Sequence, residues 1–341
     1  MVTLKQASKE LFRRTPDETF QSFDGLLAHC RQQREDSHDV WQMPQALDPH
    51  LAAETVSVKV NGYADVRLND WSFSQFCKLA HVSKETLNRL SPETASRVLT
   101  ETLPASEKPM QLLTSGETIR SMHGVAYTRL WNADLLDVVA EYTSDFQAPQ
   151  KAAGGGTGLY CGEQDLFAFL IDPSGWAEID GEAFAPGFFI WNSEVGRRSL
   201  GIQTFWFQAV CANHIVWDAT EVVEFTRKHT ANVFQGLEEI RRIIESLVAK
   251  RDARRDSFVK VMRQAMSTRL GETSEEIEKI LTNGKIPKAL IAEALDLAQA
   301  TGKFTIFSLV NSLTRSSQTV RYAGDRTELD SRIGALLQLA V

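Results

Sequence analysis

Alternation of apolar and polar residues predicts β-hairpins in the first half of the chain. The runs VSVKV (56–60) and YADVRL (63–68) alternate on either side of Asn61 and Gly62. An Asn-Gly pair between alternating runs favours a tight turn, because both residues tolerate a positive φ. A second hairpin is predicted around Ser115 and Gly116.

Apolar residues recur at helical spacing after the first hairpin and again from residue 231 to the end of the chain. Asn69 and Ser83 are expected to cap two helices at their N-termini, and Pro92 suits the first position of a third. In the last third, Thr273 and Glu276 have the spacing of a capping box. The sequence therefore predicts flanking helices in the middle of the chain and only helices after it.

Apolar runs of strand length dominate residues 165–217. Four strands are predicted there, over residues 165–172, 186–193, 198–210 and 213–217. The third is apolar on both faces, which is typical of a strand that is covered on both sides.

These patterns favour an α+β fold, with a hairpin-rich mixed or antiparallel β core, flanking helices and an all-helical C-terminal region. We expect three parts: an N-terminal arm or leader over residues 1–50, an α+β core over 51–230 and the helical region over 231–341. The 341-residue chain is long enough for more than one packed unit.

Positive charge is concentrated in one segment of an acidic protein. The net charge is −7, yet residues 227–269 hold eleven Lys or Arg against five Asp or Glu. On a continuous helix, Arg251 and Arg255 fall on the apolar stripe and Arg254 at its edge. Because burying unpaired guanidinium groups is costly, this segment either breaks the helix in solvent or meets an anionic partner such as phosphate.

The remaining composition excludes several classes of protein. The four cysteines are scattered singly, the N-terminus has no apolar signal region, and no apolar run approaches the ~18 residues of a membrane span. We therefore expect a cytoplasmic protein without a membrane partner. Cys211 and His214 lack a second pair of zinc ligands, and the Gly-rich run 154–156 lacks the lysine of a phosphate loop, so no metal or cofactor is predicted.

The stretch 186–217, PGFFIWNSEVGRRSLGIQTFWFQAVCANHIVW, resembles the phage and plasmid protein family known as domain of unknown function 932. The matching family motif consists of Asn192, Ser193, Glu194, Gly196, Ser199, Leu200, Cys211 and Asn213. His214 replaces the usual glycine, which puts the expected turn there in doubt. The family has no settled activity, and the resemblance implies a home on mobile genetic elements of bacteria.

Crowded aromatic residues followed by a basic segment favour a nucleic-acid-binding protein. Single strands are held by cations along the backbone and by aromatic faces against the bases. We expect single-stranded DNA binding or annealing by a homo-oligomer, as in recombination proteins of mobile elements. The candidate contacts are Arg197, Arg198, Arg227, Lys228, Arg251, Arg254 and Arg255, with Trp191, Phe205 and Phe207 for the bases. Glu194 is expected to be the ion-pair partner of one of these arginines.

Two alternatives remain open at this point. A non-enzymatic scaffold or host-interaction protein that modulates replication or bacterial defence would suit the amphipathic C-terminal helices. A metal-dependent nuclease is the other, because Glu178, Asp180 and Glu182 would share one face of a strand. No nucleophile elbow or dinucleotide fingerprint appears, and no catalytic residue is predicted.

Overall fold

Two β-sheets form the β core of the computed structural model, which describes residues 10–52, 54–60, 63–149, 158–208 and 224–340. The large sheet has the order β1-β8-β9-β11-β12-β13, with β10 paired to β11, and all of its pairs are antiparallel. Its strands are β1 Glu18–Thr19, β8 Leu159–Cys161, β9 Leu166–Ile171, β10 Ala177–Ile179, β11 Glu182–Asn192, β12 Leu200–Gln208 and β13 Glu224–Arg227.

The small sheet has the order β2-β6-β7-β5-β4-β3. Its strands are β2 Ser37–Gln42, β3 His50–Ala52, β4 Thr55–Val60, β5 Tyr63–Leu68, β6 Met110–Ser115 and β7 Thr118–His123. Only β5 and β7 pair in parallel, so the sheet is mixed. Both predicted hairpins are present as β4–β5 and β6–β7, and Gly116 takes the positive φ that its turn requires.

Helices cover both sheets and make up the C-terminal region. Their bounds are α1 Phe23–Glu35, α2 Asp70–Leu79, α3 Lys84–Leu87, α4 Pro92–Thr102, α5 Asn132–Ala140, α6 Gln235–Ala249, α7 Arg251–Ser267, α8 Ser274–Asn283, α9 Lys288–Thr301, α10 Ile306–Ser317 and α11 Ala323–Gly334. Asn69, Ser83 and Thr273 accept the capping hydrogen bonds predicted for them, and Pro92 is the first residue of α4. The α+β prediction is confirmed.

The large sheet is covered differently on its two faces. Helices α1, α5 and α6 pack on the face that carries Phe188, Ile190 and Ile202, and α7 reaches its far end. There the Phe258 ring stacks on Trp206, with centroids 3.8 Å apart. The opposite face is a layer of aromatic rings that Ala323 joins at the start of α11. β12 is therefore buried on both faces, as predicted: helices cover one face and the aromatic layer lies on the other.

Residues 10–50 belong to both sheets and differ from the arm expected over residues 1–50. β1 pairs with β8, β2 pairs with β6, and α1 buries Leu26 and Cys30 in the core under the large sheet. The apolar residues of this segment are few, but they fall on one face of α1, and that is sufficient for packing.

The long helix predicted after residue 231 is broken. α6 ends at Ala249, Lys250 has φ −102° and ψ 13°, and α7 begins at Arg251. The two helices then pack on different parts of the large sheet. The cluster of charged residues that interrupted the apolar stripe marks this break.

Candidate functional site

The arginines at the start of α7 pair with carboxylates of the protein itself. Arg251 bonds Asp172, whose side chain is 3% exposed, and lies 3.5 Å from Asp145. Arg255 is 3.0 Å from Asp252. Arg254 is itself buried and faces the small cavity between α6 and β11. Contrary to the expected phosphate contacts, Arg251 and Arg254 are packed against the body of the protein, and Arg255 pairs on the surface with an acidic residue of its own helix.

The basic residue Arg227 at the end of β13 lies on the opposite face of the large sheet from the candidate rings Phe205 and Phe207. Arg227 is half-buried on the helix-covered face, beside Phe225 and the backbone of Gly236. Lys228 is exposed just after the strand. The candidates Phe205 and Phe207 are 0% and 3% exposed, so neither can stack on a base.

Trp191 is the one ring of the three candidates that reaches a cleft. It pairs across the sheet with Gly201, and a side chain at Gly201 would overlap the indole. The ring therefore lies flat on the Gly201 backbone, which only glycine permits at this position. Phe189 packs on its side at a centroid distance of 5.1 Å. The indole is half-buried and lines the cleft.

This cleft, which we call the Trp191 cleft, lies between the open face of the large sheet and α11. It encloses about 590 Å³, which is within the range of ligand-binding pockets. The floor is aromatic, the loop after β11 forms one wall and α11 the other. Its lining residues are Phe167, Phe189, Trp191, Arg197, Arg198, Ser199, Gln203, Glu224, Gly324, Thr327, Glu328, Ser331 and Arg332.

Of the three guanidinium groups around the cleft, only that of Arg198 has an ion-pair partner among the described residues. Arg198 is held at 2.8 Å by Asp165 and at 2.5 Å by Glu328, and it lies over the Phe167 ring. Arg197 and Arg332 are exposed, and neither has a carboxylate within ion-pair distance among the residues that the structure describes. Arg198 therefore builds the wall, whereas Arg197 and Arg332 are available to an anion.

The residues of the family motif that the structure describes form a buried hydrogen-bonded cluster beneath this wall. The Asn192 side chain donates to the Leu130 carbonyl at 2.9 Å, and the Ser193 hydroxyl donates to the Gln164 carbonyl at 2.5 Å. The Arg197 amide in turn donates to Ser193. These bonds fix the direction in which the loop presents Arg197.

Glu194 joins the two sheets. Its carboxylate accepts from Arg120 of β7 at 2.9 Å and from the Asn132 amide at 2.8 Å. The expected internal ion pair is present, but its partner is Arg120, which the sequence did not single out. With both side chains buried, this pair is part of the core.

The other described motif residues lie outside this buried cluster. Gly196 takes a φ of +71° against the His123 ring, and Ser199 lies half-buried in the wall of the Trp191 cleft. Cys211, Asn213, the predicted strand 213–217 and the Gly-rich run 154–156 lie outside the described residues.

The acidic residues considered for a nuclease are not gathered on one strand face. Asp180 and Gly181 form a turn that reverses the chain between β10 and β11, so Glu178 pairs with Ala183 rather than lying beside Glu182. Glu182 accepts a hydrogen bond from Gln208. Within the described part of the chain, no group of three or more His, Cys, Asp and Glu residues is arranged to hold a metal ion.

Sequence-based reasoning missed the parts of the Trp191 cleft that come from distant segments. Arg332 and Ser331 are supplied by α11, and Phe167 by β9. Gly201 inside an aromatic strand was a usable indication, because glycine within a strand often marks a close approach of another group. Nothing in the sequence indicated that α11 lies over this face of the sheet.

Comparison with protein-family models, curated proteins and solved structures returns no match to this chain. The resemblance to domain of unknown function 932 stays a prediction. Among the described residues, no helix is both long and apolar enough to cross a membrane.

Proposed function

We propose that the protein binds single-stranded nucleic acid, with a base stacked on Trp191 and the adjoining phosphates on Arg197 and Arg332. One observation carries the proposal: the Trp191 indole and two guanidinium groups without a described ion-pair partner line the same cleft. Single strands need this combination of a flat aromatic surface and nearby cations. Sequence-specific contacts are not required, which suits a protecting or annealing protein.

The position of the interface differs from the one expected from the sequence. The proposed phosphate contacts are Arg197 and Arg332 rather than Arg251, Arg254 and Arg255. Of these five, only Arg197 and Arg332 are both exposed and in the same cleft as an aromatic ring. Glu224 also lines the cleft and favours the part of a nucleotide that carries hydrogen-bond donors, such as a base edge or a sugar hydroxyl.

The proposal includes assembly as a homo-oligomer. The small sheet ends in two edge strands, β2 and β3, and each exposes a large apolar side chain, Trp41 at 48% and Leu51 at 45%. Unpaired strand edges with apolar side chains favour pairing with another chain. Joining β2 of one copy to β3 of the next would extend the sheet from subunit to subunit.

The test is a titration of labelled single-stranded and duplex oligonucleotides at two salt concentrations, followed by fluorescence anisotropy. We expect Trp191→Ala to weaken single-strand binding about tenfold or more, because stacking contributes ~1–3 kcal/mol per base. Arg197→Ala with Arg332→Ala should reduce the slope of log K against log salt by up to ~0.7 per lost phosphate contact.

Arg242→Ala is the matched control, because Arg242 is an exposed arginine on α6, away from the cleft. It should leave affinity within about twofold of the unaltered protein. Unchanged binding by the Trp191 variant would show that the cleft is not the site. Absence of binding together with a defined assembly in light scattering would favour the scaffold alternative.

A further inference from the structure

A second cleft opens on the far side of the loop that presents Arg197. It lies between α2 and the end of the β6–β7 hairpin and encloses about 600 Å³. We call it the Trp71 cleft. Its lining includes Trp71, Lys78, His81, His123 and Gly196.

Arg197 is the ridge between the two clefts. It lines the Trp191 cleft, and its guanidinium carbon lies 5.7 Å from the centroid of the Trp71 ring. Trp71 is held beside the ridge because its Nε1–H donates to the Val195 carbonyl at 2.7 Å. Arg197, which has no carboxylate partner among the described residues, therefore lies beside one indole ring and lines the cleft of the other.

No Asp or Glu is among the described residues that line the Trp71 cleft, although the whole chain carries a net charge of −7. The lining contains two exposed side chains that can contact a phosphate, Lys78 and His81. Neither has an ion-pair partner among the residues that the structure describes. A phosphate placed here would meet the Lys78 ammonium group with no carboxylate in the described lining to compete for it.

His123 adds a neutral polar group to the wall of this cleft. Its Nε2 atom is buried and has no hydrogen-bond partner within the described ranges. Burial, with a smaller contribution from Arg129, lowers the pKa of His123 to about 3. The ring therefore stays uncharged near pH 7 and adds no charge to the wall.

We infer that the Trp71 cleft continues the nucleic-acid site, so that one single strand crosses the Arg197 ridge with one base on Trp191 and another on Trp71. Lys78 and His81 then contact the backbone beyond the ridge. This inference rests on the proposed function. It extends the proposed site to several nucleotides and specifies that the strand crosses the loop that carries Arg197.

The experiment compares two probes, a mononucleotide and an oligothymidylate of about eight nucleotides, the latter within the ~4–16-nucleotide site sizes of single-strand-binding folds. We expect the longer probe to bind at least about tenfold more tightly, because a second stacked base adds ~1–3 kcal/mol and further phosphates add backbone contacts. Lys78→Ala with His81→Ala should remove the part of this gain that comes from the backbone contacts beyond the ridge.

Lys260→Ala is the control, because it removes an exposed lysine on α7, outside both clefts. Equal affinity for the two probes, or an unaffected double variant, would overturn the two-cleft path while Trp191-dependent mononucleotide binding still supported the proposed function. Loss of all binding in the unaltered protein would overturn both.

Discussion

At the scale of single residues, the role of each arginine follows from the nearest carboxylate. Arg120 is buried against Glu194, and Arg198 is held by Asp165 and Glu328. Arg197 comes from the same loop as Arg198 but is exposed and has no described carboxylate partner. A guanidinium group that already has carboxylate partners gains little from a phosphate, so two adjacent arginines have different functions.

Breaking the buried Arg120–Glu194 ion pair should destabilise the protein. Glu194→Gln leaves the Arg120 charge buried without its carboxylate, and we expect the free energy of unfolding to fall by about 3–5 kcal/mol. Urea unfolding measures this loss. Adding Arg120→Met to the first change should restore part of it, because the uncompensated charge is then removed.

Glu328→Gln is the matched control, since Glu328 bonds an arginine from a side chain that is 54% exposed. Its cost should stay below about 1 kcal/mol. A Glu194 variant no less stable than the Glu328 variant would contradict the view that this pair joins the two sheets.

At the scale of elements, α10 and α11 contain a buried acid that opposes folding at high pH. Asp330 of α11 is 2% exposed and accepts a hydrogen bond from Ser317 of α10. Burial raises its pKa to about 7, although Ser317 and the nearby Arg326 act in the opposite direction. The folded protein therefore holds a proton that the unfolded chain releases at a lower pH.

The sign of the pH dependence follows from that difference. The unfolded pKa is 3.8, so the contribution of Asp330 to stability is fully present below that value and is lost as the pH rises to about 7. Asp330→Asn keeps an acceptor for Ser317 and removes the charge. We expect it to raise the free energy of unfolding by roughly 2–4 kcal/mol at pH 8.

Urea midpoints from pH 5 to pH 8 check this expectation, with the gain from Asp330→Asn growing across the range. Asp325→Asn provides the comparison, because Asp325 lies on the same helix with a side chain that is 51% exposed. A pH-independent difference between Asp330→Asn and the unaltered protein would refute the buried-acid account.

At the scale of the whole molecule, an ion network ties the N-terminal segment, the large sheet and the last helix together. Asp165, which precedes β9, accepts from Arg14 at 3.0 Å and from Arg198 at 2.8 Å. Asp17 accepts from the first amide of α11, at Ala323. The network sets α11 over the aromatic face and so forms one wall of the Trp191 cleft.

Removing Arg198 should loosen that wall. We expect Arg198→Met to speed hydrogen exchange of the α11 amides by about tenfold or more, because hydrogen bonds to charged groups contribute ~1.5–3 kcal/mol. Amides of α8 and α9, which do not contact Arg198, should be unchanged and serve as an internal reference. Equal exchange rates of the α11 amides in Arg198→Met and in the unaltered protein would mean that apolar packing alone holds the helix in place.

The sequence was a good guide wherever a short stretch decides the structure. The two hairpins, the caps at Asn69 and Thr273, and the helical character of the last third were all predicted, because turns and helix ends depend on residues only a few positions apart. A helix break, found at Lys250, was one of the two alternatives that the interrupted apolar stripe left open. The sequence did not predict that residues 10–50 contribute strands to both sheets, because those strands pair with segments far away in the chain.

The candidate site was predicted only in part for the same physical reason. The sequence identified Trp191 and Arg197, and it could not show that Phe205 and Phe207 are sealed in the sheet. Neutralisation of Arg251 depends on Asp172, 79 positions away, and that of Arg198 on Glu328, 130 positions away. Local chemistry determined the elements and the abundance of cations and rings. Tertiary structure alone decided which of them meet in a cleft, because charge pairing and burial are properties of the packed chain.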